Sequence, residues 1–321
     1  MQAGALRWTP RRSSRQGGIT PTKIMQKSKI VEIVRLYEEY SRPQRKAFSS
    51  KYPKAKPLII FFRRVWRKVK NVLSGKIAKR KGHFLRCVIA RHQSVLRRKL
   101  GTSEARLQKQ KIINLKRACT DLNSLIIQPG EIFSLWETLG KPSKKRGYTD
   151  GMLLSNGKVI EGMGGGLCQL SNFLCWIFLH AETEIVERQH HSMDVFPDSG
   201  RVLPFGSGAT CLYNFVDLKI KNVGKVPLQI KIWVTDKHLK GQILSSESST
   251  IKFSLREKNH AFIKKGNQFF RYNEIWRFEK KGGKILKENF LFANFAPVLY
   301  KVTSRYLAEN NYEVVLLDKH N

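Results

Sequence analysis

The sequence predicts an α+β fold, on three observations. A run of glycines opens into one strongly apolar helical stretch near the middle of the chain, a very basic and helical segment precedes it, and from about residue 183 apolar residues alternate at period two. The expected order is therefore a helical N-terminal part, a Gly-rich turn into a Cys-bearing helix, and then a mainly antiparallel β-sheet. With 321 residues and 41% hydrophobic content the chain can build a substantial core. Three regions are expected. Residues 1–80 form a basic, partly disordered extension, residues 81–245 a central domain, and residues 246–321 a β-rich extension of the same body.

Residues 1–24 are Arg, Ser, Gly and Pro with little to bury, so disorder is expected there, and Met25 would make a plausible start. Ile30, Ile33, Val34 and Tyr37 predict a short helix over 28–41. Next, Leu58, Phe61, Phe62, Val65, Trp66, Val69, Val72 and Leu73 make an apolar stripe, with Arg and Lys filling the remaining positions. A basic amphipathic helix of this kind suits the plane of an anionic membrane surface, and a helix packed on the body with a solvated basic face is the plainer alternative. A further helix from Thr102 buries Ile112, Leu115, Ala118, Cys119 and Leu122 and ends before Gln128-Pro129-Gly130. Asn156-Gly157 signals a hairpin turn, as does Gly282-Gly283. Thr183 to Arg188 reads as a strand, as do the stretches around Val216–Ile220 and Leu228–Val234, separated by Asn222-Val223-Gly224.

Charge is extreme and uneven. The formal net charge is +36, and residues 1–100 hold 28 Lys and Arg against 3 Glu. Such a segment is drawn to polyanions. No nucleic-acid-binding motif accompanies the charge, which argues against nucleic acid and leaves an anionic membrane surface, through residues 58–73, as the expected partner. The first residues lack the apolar core of a secretory signal, and Leu58 to Phe62 is far too short to span a bilayer, so a cytoplasmic or peripheral membrane location is expected. Five cysteines at irregular spacing make no disulfide framework. Cys168, His190 and His191 match no recognised zinc spacing, so neither metal nor cofactor is expected.

The chemistry centres on Gly164-Gly165-Gly166-Leu167-Cys168-Gln169. Leu167, Leu170, Phe173, Leu174, Ile177 and Phe178 recur at three- and four-residue steps, so Cys168 stands in the first turn of a helix, where unpaired N–H groups and the positive dipole end favour a thiolate. His190 and His191, about twenty residues on, offer a base. The competing reading makes Cys168 a small buried hydrophobe. Cys175, two turns later, reads as packing, and Cys87, Cys119 and Cys211 as buried thiols.

Taken together, Pro129-Gly130-Glu131-Ile132-Phe133-Ser134, Arg146-Gly147-Tyr148, the glycine–cysteine motif through Ser171, Glu187-Arg188-Gln189-His190-His191-Ser192 and Ser207-Gly208-Ala209-Thr210 resemble the VanW family over roughly residues 85–300. These are bacterial proteins first associated with glycopeptide-antibiotic resistance clusters. Many members carry Asp where this chain has Gly208. The resemblance implies a role in cell-wall peptidoglycan biology, with a cell-wall peptide or precursor as partner. Some proteins with this domain look like L,D-transpeptidases, which places the nucleophile on Cys168 and the base on His191. Oxyanion donors would then be backbone N–H groups of Gly164, Gly165, Gly166 and Cys168, with the Gln169 side chain beside them. Asp194 or Glu187 could orient the imidazole, His190 would flank it, and Arg146 and Tyr148 could hold substrate. The alternative is a non-catalytic binding or accessory module for cell-wall peptide or anionic polymer.

Overall fold

The apolar steps between Leu167 and Phe178 fold as a helix because every one of those side chains finds a buried partner. In the computed structural model, which describes residues 27–42, 53–74, 76–97, 105–155, 158–195, 197–198 and 203–317, this helix is the centre of the larger core. The elements in chain order are α1 (Lys27–Ser41), α2 (Lys56–Leu73), β1 (Cys87–Val95), α3 (Ala105–Leu122), β2 (Ile126–Ile127), β3 (Ile132–Ser134), α4 (Leu135–Leu139), β4 (Asp150–Ser155), β5 (Lys158–Met163), α5 (Leu167–Phe178), β6 (Thr183–Glu187), β7 (Lys219–Asn222), β8 (Leu228–Val234), β9 (His238–Ser245), β10 (Ile251–Lys265), β11 (Gln268–Lys281), β12 (Lys284–Pro297), α6 (Ser304–Glu309) and β13 (Glu313–Leu316). The fold is α+β with mainly antiparallel sheets, as the sequence predicts. The segment 1–24 and the Asn156-Gly157 turn lie outside the described residues, although Ser155 does pair with Lys158.

Among the described residues four sheets form, in the orders β1-β9-β8-β2, β12-β11-β10-β13, β3-β7-β6 and β4-β5. Helix α5 lies against β1, β9 and α3, so Leu170, Phe173, Leu174 and Ile177 share a core with Leu115, Ala118, Ile230 and Ile243. The Gly282-Gly283 hairpin forms between β11 and β12, with φ of 56° and 83° that only glycine adopts without strain. In β10 the strand bulges between Lys258 and Ala261, where Asn259 takes φ 50°, and this bends a 15-residue strand.

The strands on either side of Asn222-Val223-Gly224 do not pair with each other: β7 joins β3 and β6, while β8 joins β2 and β9. Asn222 is the reason. Its amide donates to Ile127 O and Val226 O, both at 2.9 Å, and its Oδ1 accepts from Gly224 N, so the turn becomes a corner between two sheets.

A second, smaller core joins the two ends of the chain. Ile33 of α1 packs with Ala261, Ile263, Phe270, Tyr272, Phe295, Val315 and Leu317 of the C-terminal sheet. Lys29 reaches the buried Glu274 at 2.6 Å. Among the described residues no helix is long and apolar enough to cross a membrane.

Candidate functional site

The glycine turn is held from three sides. Gly164 and Gly166 take φ of 74° and 97°, and a Cβ on Gly165 would stand 2.0 Å from the carbonyl carbon of Gly151 in β4. Asn114 of α3 ties the arrangement together. Its Nδ2 donates to Gly165 O at 2.9 Å and Thr149 O at 3.0 Å, and its Oδ1 accepts from Thr149 N at 2.8 Å. The turn thus brings the first residues of α5 against β4 with its backbone rigidly placed. Gly165, Leu167 and Gln169 each spend their N–H on a turn carbonyl, whereas the N–H of Cys168 has no partner among the described residues.

Cys168 is half-buried, and the segment 209–211 runs beside it. Its Sγ lies 3.9 Å from Thr210 Oγ1, 3.8 Å from Cys211 O and 4.0 Å from Cys211 Sγ. The Cys211 thiol, donating to Sγ, holds the Cys168 pKa down to about 6. Burial opposes this, and the Thr210 hydroxyl supports it. The same pairing pushes the Cys211 thiol well above its ordinary value. Cys119, by contrast, is raised to about 12 by burial alone, and the fully buried Cys175 is also raised by burial. Of the three thiols read as buried, only Cys119 is; Cys87 and Cys211 are half-buried, and Cys211 is not a mere packing group. It is instead the group that makes Cys168 acidic.

One turn further along the same face of α5 stands Asn172. Its Oδ1 accepts from Ala209 N at 2.8 Å and lies 3.2 Å from His191 Nε2. The Ala209 N–H identifies that atom as oxygen, so His191 donates through Nε2, and in the neutral ring Nδ1 is then the nitrogen that can take a proton. The approach requires Gly208, because a Cβ there would stand 2.2 Å from Asn172 Oδ1. Cys168 and the Asn172 that holds His191 thus share one face of α5, and among the described residues Sγ hydrogen-bonds to Thr210 and Cys211 and not to the imidazole.

His191 arrives there on a tethered segment that follows β6. After β6, Gln189 O accepts from Thr210 N at 2.8 Å. Arg188 donates to Gly208 O at 2.9 Å and to Gly206 O, with its guanidinium 3.6 Å above the Phe292 ring. His190 turns its Nδ1 to His191 O at 2.8 Å.

The carboxylates considered as orienters of the imidazole serve elsewhere. Glu187 Oε1 accepts from both Nη atoms of Arg67 and from Asp217 N, each at 3.0 Å. Asp194 pairs with Arg271 at 3.1 Å and accepts from Tyr300 at 3.0 Å. Gln169 and Arg146 also have structural partners. Gln169 Nε2 donates to Ser94 Oγ at 3.0 Å and Val95 O at 2.8 Å, which turns both of its donors onto β1 and away from Sγ. Arg146 reaches Asp121 at 3.0 Å and Leu139 O. Tyr148 is buried, its pKa pushed up to about 12 chiefly by that burial, so neither Arg146 nor Tyr148 is brought to Cys168. Among the described residues no group of three or more His, Cys, Asp and Glu side chains is arranged to hold a metal ion.

Sequence reasoning missed Asn172 and Cys211. The helical step of four from Cys168 to Asn172 was the available signal, but its partners come from loops 19 and 37 residues away.

Comparison with known proteins places these residues in a matched region. The family described as VanW like protein matches residues 110–244. The vancomycin B-type resistance protein VanW of Enterococcus faecalis is 30% identical over 195 residues, 60% of this chain and 71% of that protein. The uncharacterized protein YoaR of Bacillus subtilis is 27% identical over 118 residues, 37% of each chain. No solved structure matches significantly.

Proposed function

The chain belongs to the VanW family, and from that premise we propose that it acts in glycopeptide resistance through cysteine-dependent acyl transfer on a cell-wall peptide. One observation carries the reading: Cys168, held acidic by Cys211 and Thr210, shares a helix face with a His191 whose tautomer is fixed by Asn172. That division of roles among Cys, His and Asn is one that recurs on unrelated folds.

The mechanism follows from the positions. His191 Nδ1 takes the thiol proton, and the Cys168 thiolate attacks an amide carbonyl carbon, forming the C–S bond. The developing oxyanion meets the unpaired Cys168 N–H at the positive end of α5. The C–N bond then breaks, and the leaving amine takes its proton from the imidazolium. An acceptor amine attacks the thioester, gives a proton back to His191 and releases Cys168. Closing the distance between Sγ and the imidazole falls to substrate binding, since catalytic hydrogen bonds commonly tighten only in the substrate complex.

Labelling with iodoacetamide across pH, read at each cysteine by mass spectrometry, tests the thiolate. Cys168 should label first with a midpoint near pH 6, and Cys119, with its pKa near 12, should stay unlabelled at neutral pH. In Cys211→Ala the midpoint should move up by about one unit or more, because the leading stabiliser of the thiolate is gone. Labelling of Cys168 no faster than that of the half-buried Cys87 would sink the reading. Intact-mass detection of an acyl adduct on Cys168 after incubation with stem peptides tests the transfer itself.

The gap between Sγ and His191 favours a second reading, a non-catalytic module that binds cell-wall peptide in the same place. In that case no adduct forms, and Cys168→Ser keeps full affinity for the peptide.

A further inference from the structure

Helix α2 docks by the face that ordinarily points to water. Arg67 donates to Glu187 at 3.0 Å through both Nη atoms and to Phe215 O at 3.1 Å. Asn71 donates to Glu137 at 2.8 Å and accepts from Lys219 at 2.8 Å, and the Arg64 guanidinium lies 5.6 Å from the centre of the Tyr213 ring. Arg64, Arg67 and Asn71 follow one another at steps of three and four, so they define a single stripe, and that stripe is the one bolted to the body. Leu58, Phe61, Phe62, Val65, Trp66, Val69 and Leu73 lie on the opposite side and are exposed, Trp66 by 71% and Leu73 by 80%. Arg63, Lys68 and Lys70 are exposed as well, and on the helix they flank the apolar stripe on its two sides. The plainer expectation, an apolar face packed inward and a basic face in solvent, is reversed.

A contiguous apolar face presented to solvent marks an interaction surface. Its chemistry here is specific: large apolar and aromatic side chains, no acidic residue anywhere in the helix, and cations along both margins. We propose that α2 seats the protein on the surface of an anionic phospholipid bilayer, with its apolar residues in the acyl boundary and Arg63, Lys68 and Lys70 among the headgroup phosphates. The charge arrangement selects this occupant, because a purely apolar protein groove would leave those cations unanswered. The bolt to Glu187, the residue before Arg188, couples the seated helix to the segment that carries His191. The inference stands whether or not Cys168 is catalytic.

Co-sedimentation of the full chain with vesicles tests it. Phosphatidylcholine vesicles containing phosphatidylglycerol should bind the protein and pure phosphatidylcholine vesicles should not, with binding falling as salt screens the exposed charges over about 10 Å at 0.1 M. Phe62→Ser combined with Trp66→Ser keeps the charge and alters only exposed side chains, so the fold should persist by circular dichroism. Binding should drop at least about tenfold, since the apolar insertion is what that pair supplies. Arg63→Glu with Lys68→Glu should remove the preference for phosphatidylglycerol. Unchanged binding by the Phe62/Trp66 variant would overturn the proposal, because charge alone would then account for the attraction. So would a wild-type dimer that this variant converts to monomer while vesicle binding stays the same, which would make a second copy of the chain the occupant.

Discussion

Replacing Arg271 by Met should cost about 3–5 kcal/mol of folding stability, the range for removing one partner from a buried ion pair. Arg271 is 2% exposed and Asp194 3%. Its Nη1 reaches Asp194 at 3.1 Å and Asp198 at 2.9 Å, its Nη2 reaches Asp198, and its Nε donates to His260 Nε2 at 2.8 Å. Burial works against the charge, but the two carboxylates overcome it and hold the guanidinium above its ordinary range. Tyr300 and Tyr312 donate to the same carboxylates. Methionine fills the space and takes the Arg271 cation away from the buried Asp194 and the half-buried Asp198. Urea unfolding should show a lower midpoint at unchanged slope. Neutralising the acids in the triple variant Arg271→Met/Asp194→Asn/Asp198→Asn should recover a large part of the loss. If the triple variant is no more stable than the single one, the loss came from packing and not from stranded charge.

The same cluster explains how the C-terminal sheet serves the site. Asp194 N donates to Pro297 O and Leu299 N donates to Asp194 O, both at 2.9 Å, so the segment just after His191 is stitched to the end of β12. The Arg271 anchor adds to these backbone bonds, to Arg188 and to the Gln189–Thr210 bridge in holding the segment that presents the imidazole. The strands after residue 246 are therefore part of what positions His191, although among the described residues none of them hydrogen-bonds to Cys168.

What was legible in the sequence was local. Helix α5 could be read because six apolar residues recur at helical steps and three glycines precede it. The β11–β12 hairpin could be read from Gly282-Gly283. Period two in Leu228, Ile230 and Ile232 identified β8. The misses share one physical cause, a polar side chain whose partner is distant in sequence. Asn222 looked like an ordinary turn residue and is a corner between two sheets. Arg271 alternates in β11 like a solvent-facing cation and is buried, because Asp194 and Asp198 come to it from more than seventy residues away. A helical wheel separates the two faces of α2 but cannot say which one meets the body. Glu187 decides that, 120 residues further on. At the site, Cys168 and His191 stood out by their chemistry, whereas Cys211 and Asn172 acquire theirs only from position.

Asn172→Ala should separate formation of the thiolate from use of the base. The Cys168 thiolate depends on Cys211 and Thr210, neither of which hydrogen-bonds to Asn172 among the described residues, so the labelling midpoint should stay near pH 6. His191 loses the acceptor that fixes its Nε2–H, and Ala209 loses the partner of its N–H. Turnover of a small activated ester, which needs the base to resolve the acyl-enzyme, should fall about 100-fold, at the low end of what a positioned general base contributes. Asn172→Asp keeps an acceptor for both groups and should restore most of the rate. Its carboxylate favours the imidazolium, so the acidic limb of the pH–rate profile should move to higher pH. Gly208→Ala should reproduce the Asn172→Ala loss without altering any reacting group, because its Cβ would stand 2.2 Å from Asn172 Oδ1 and force the amide away from His191. If all three variants turned over like the wild type, Asn172 would be a structural peg for the Ala209 backbone, and His191 would need no orientation from α5.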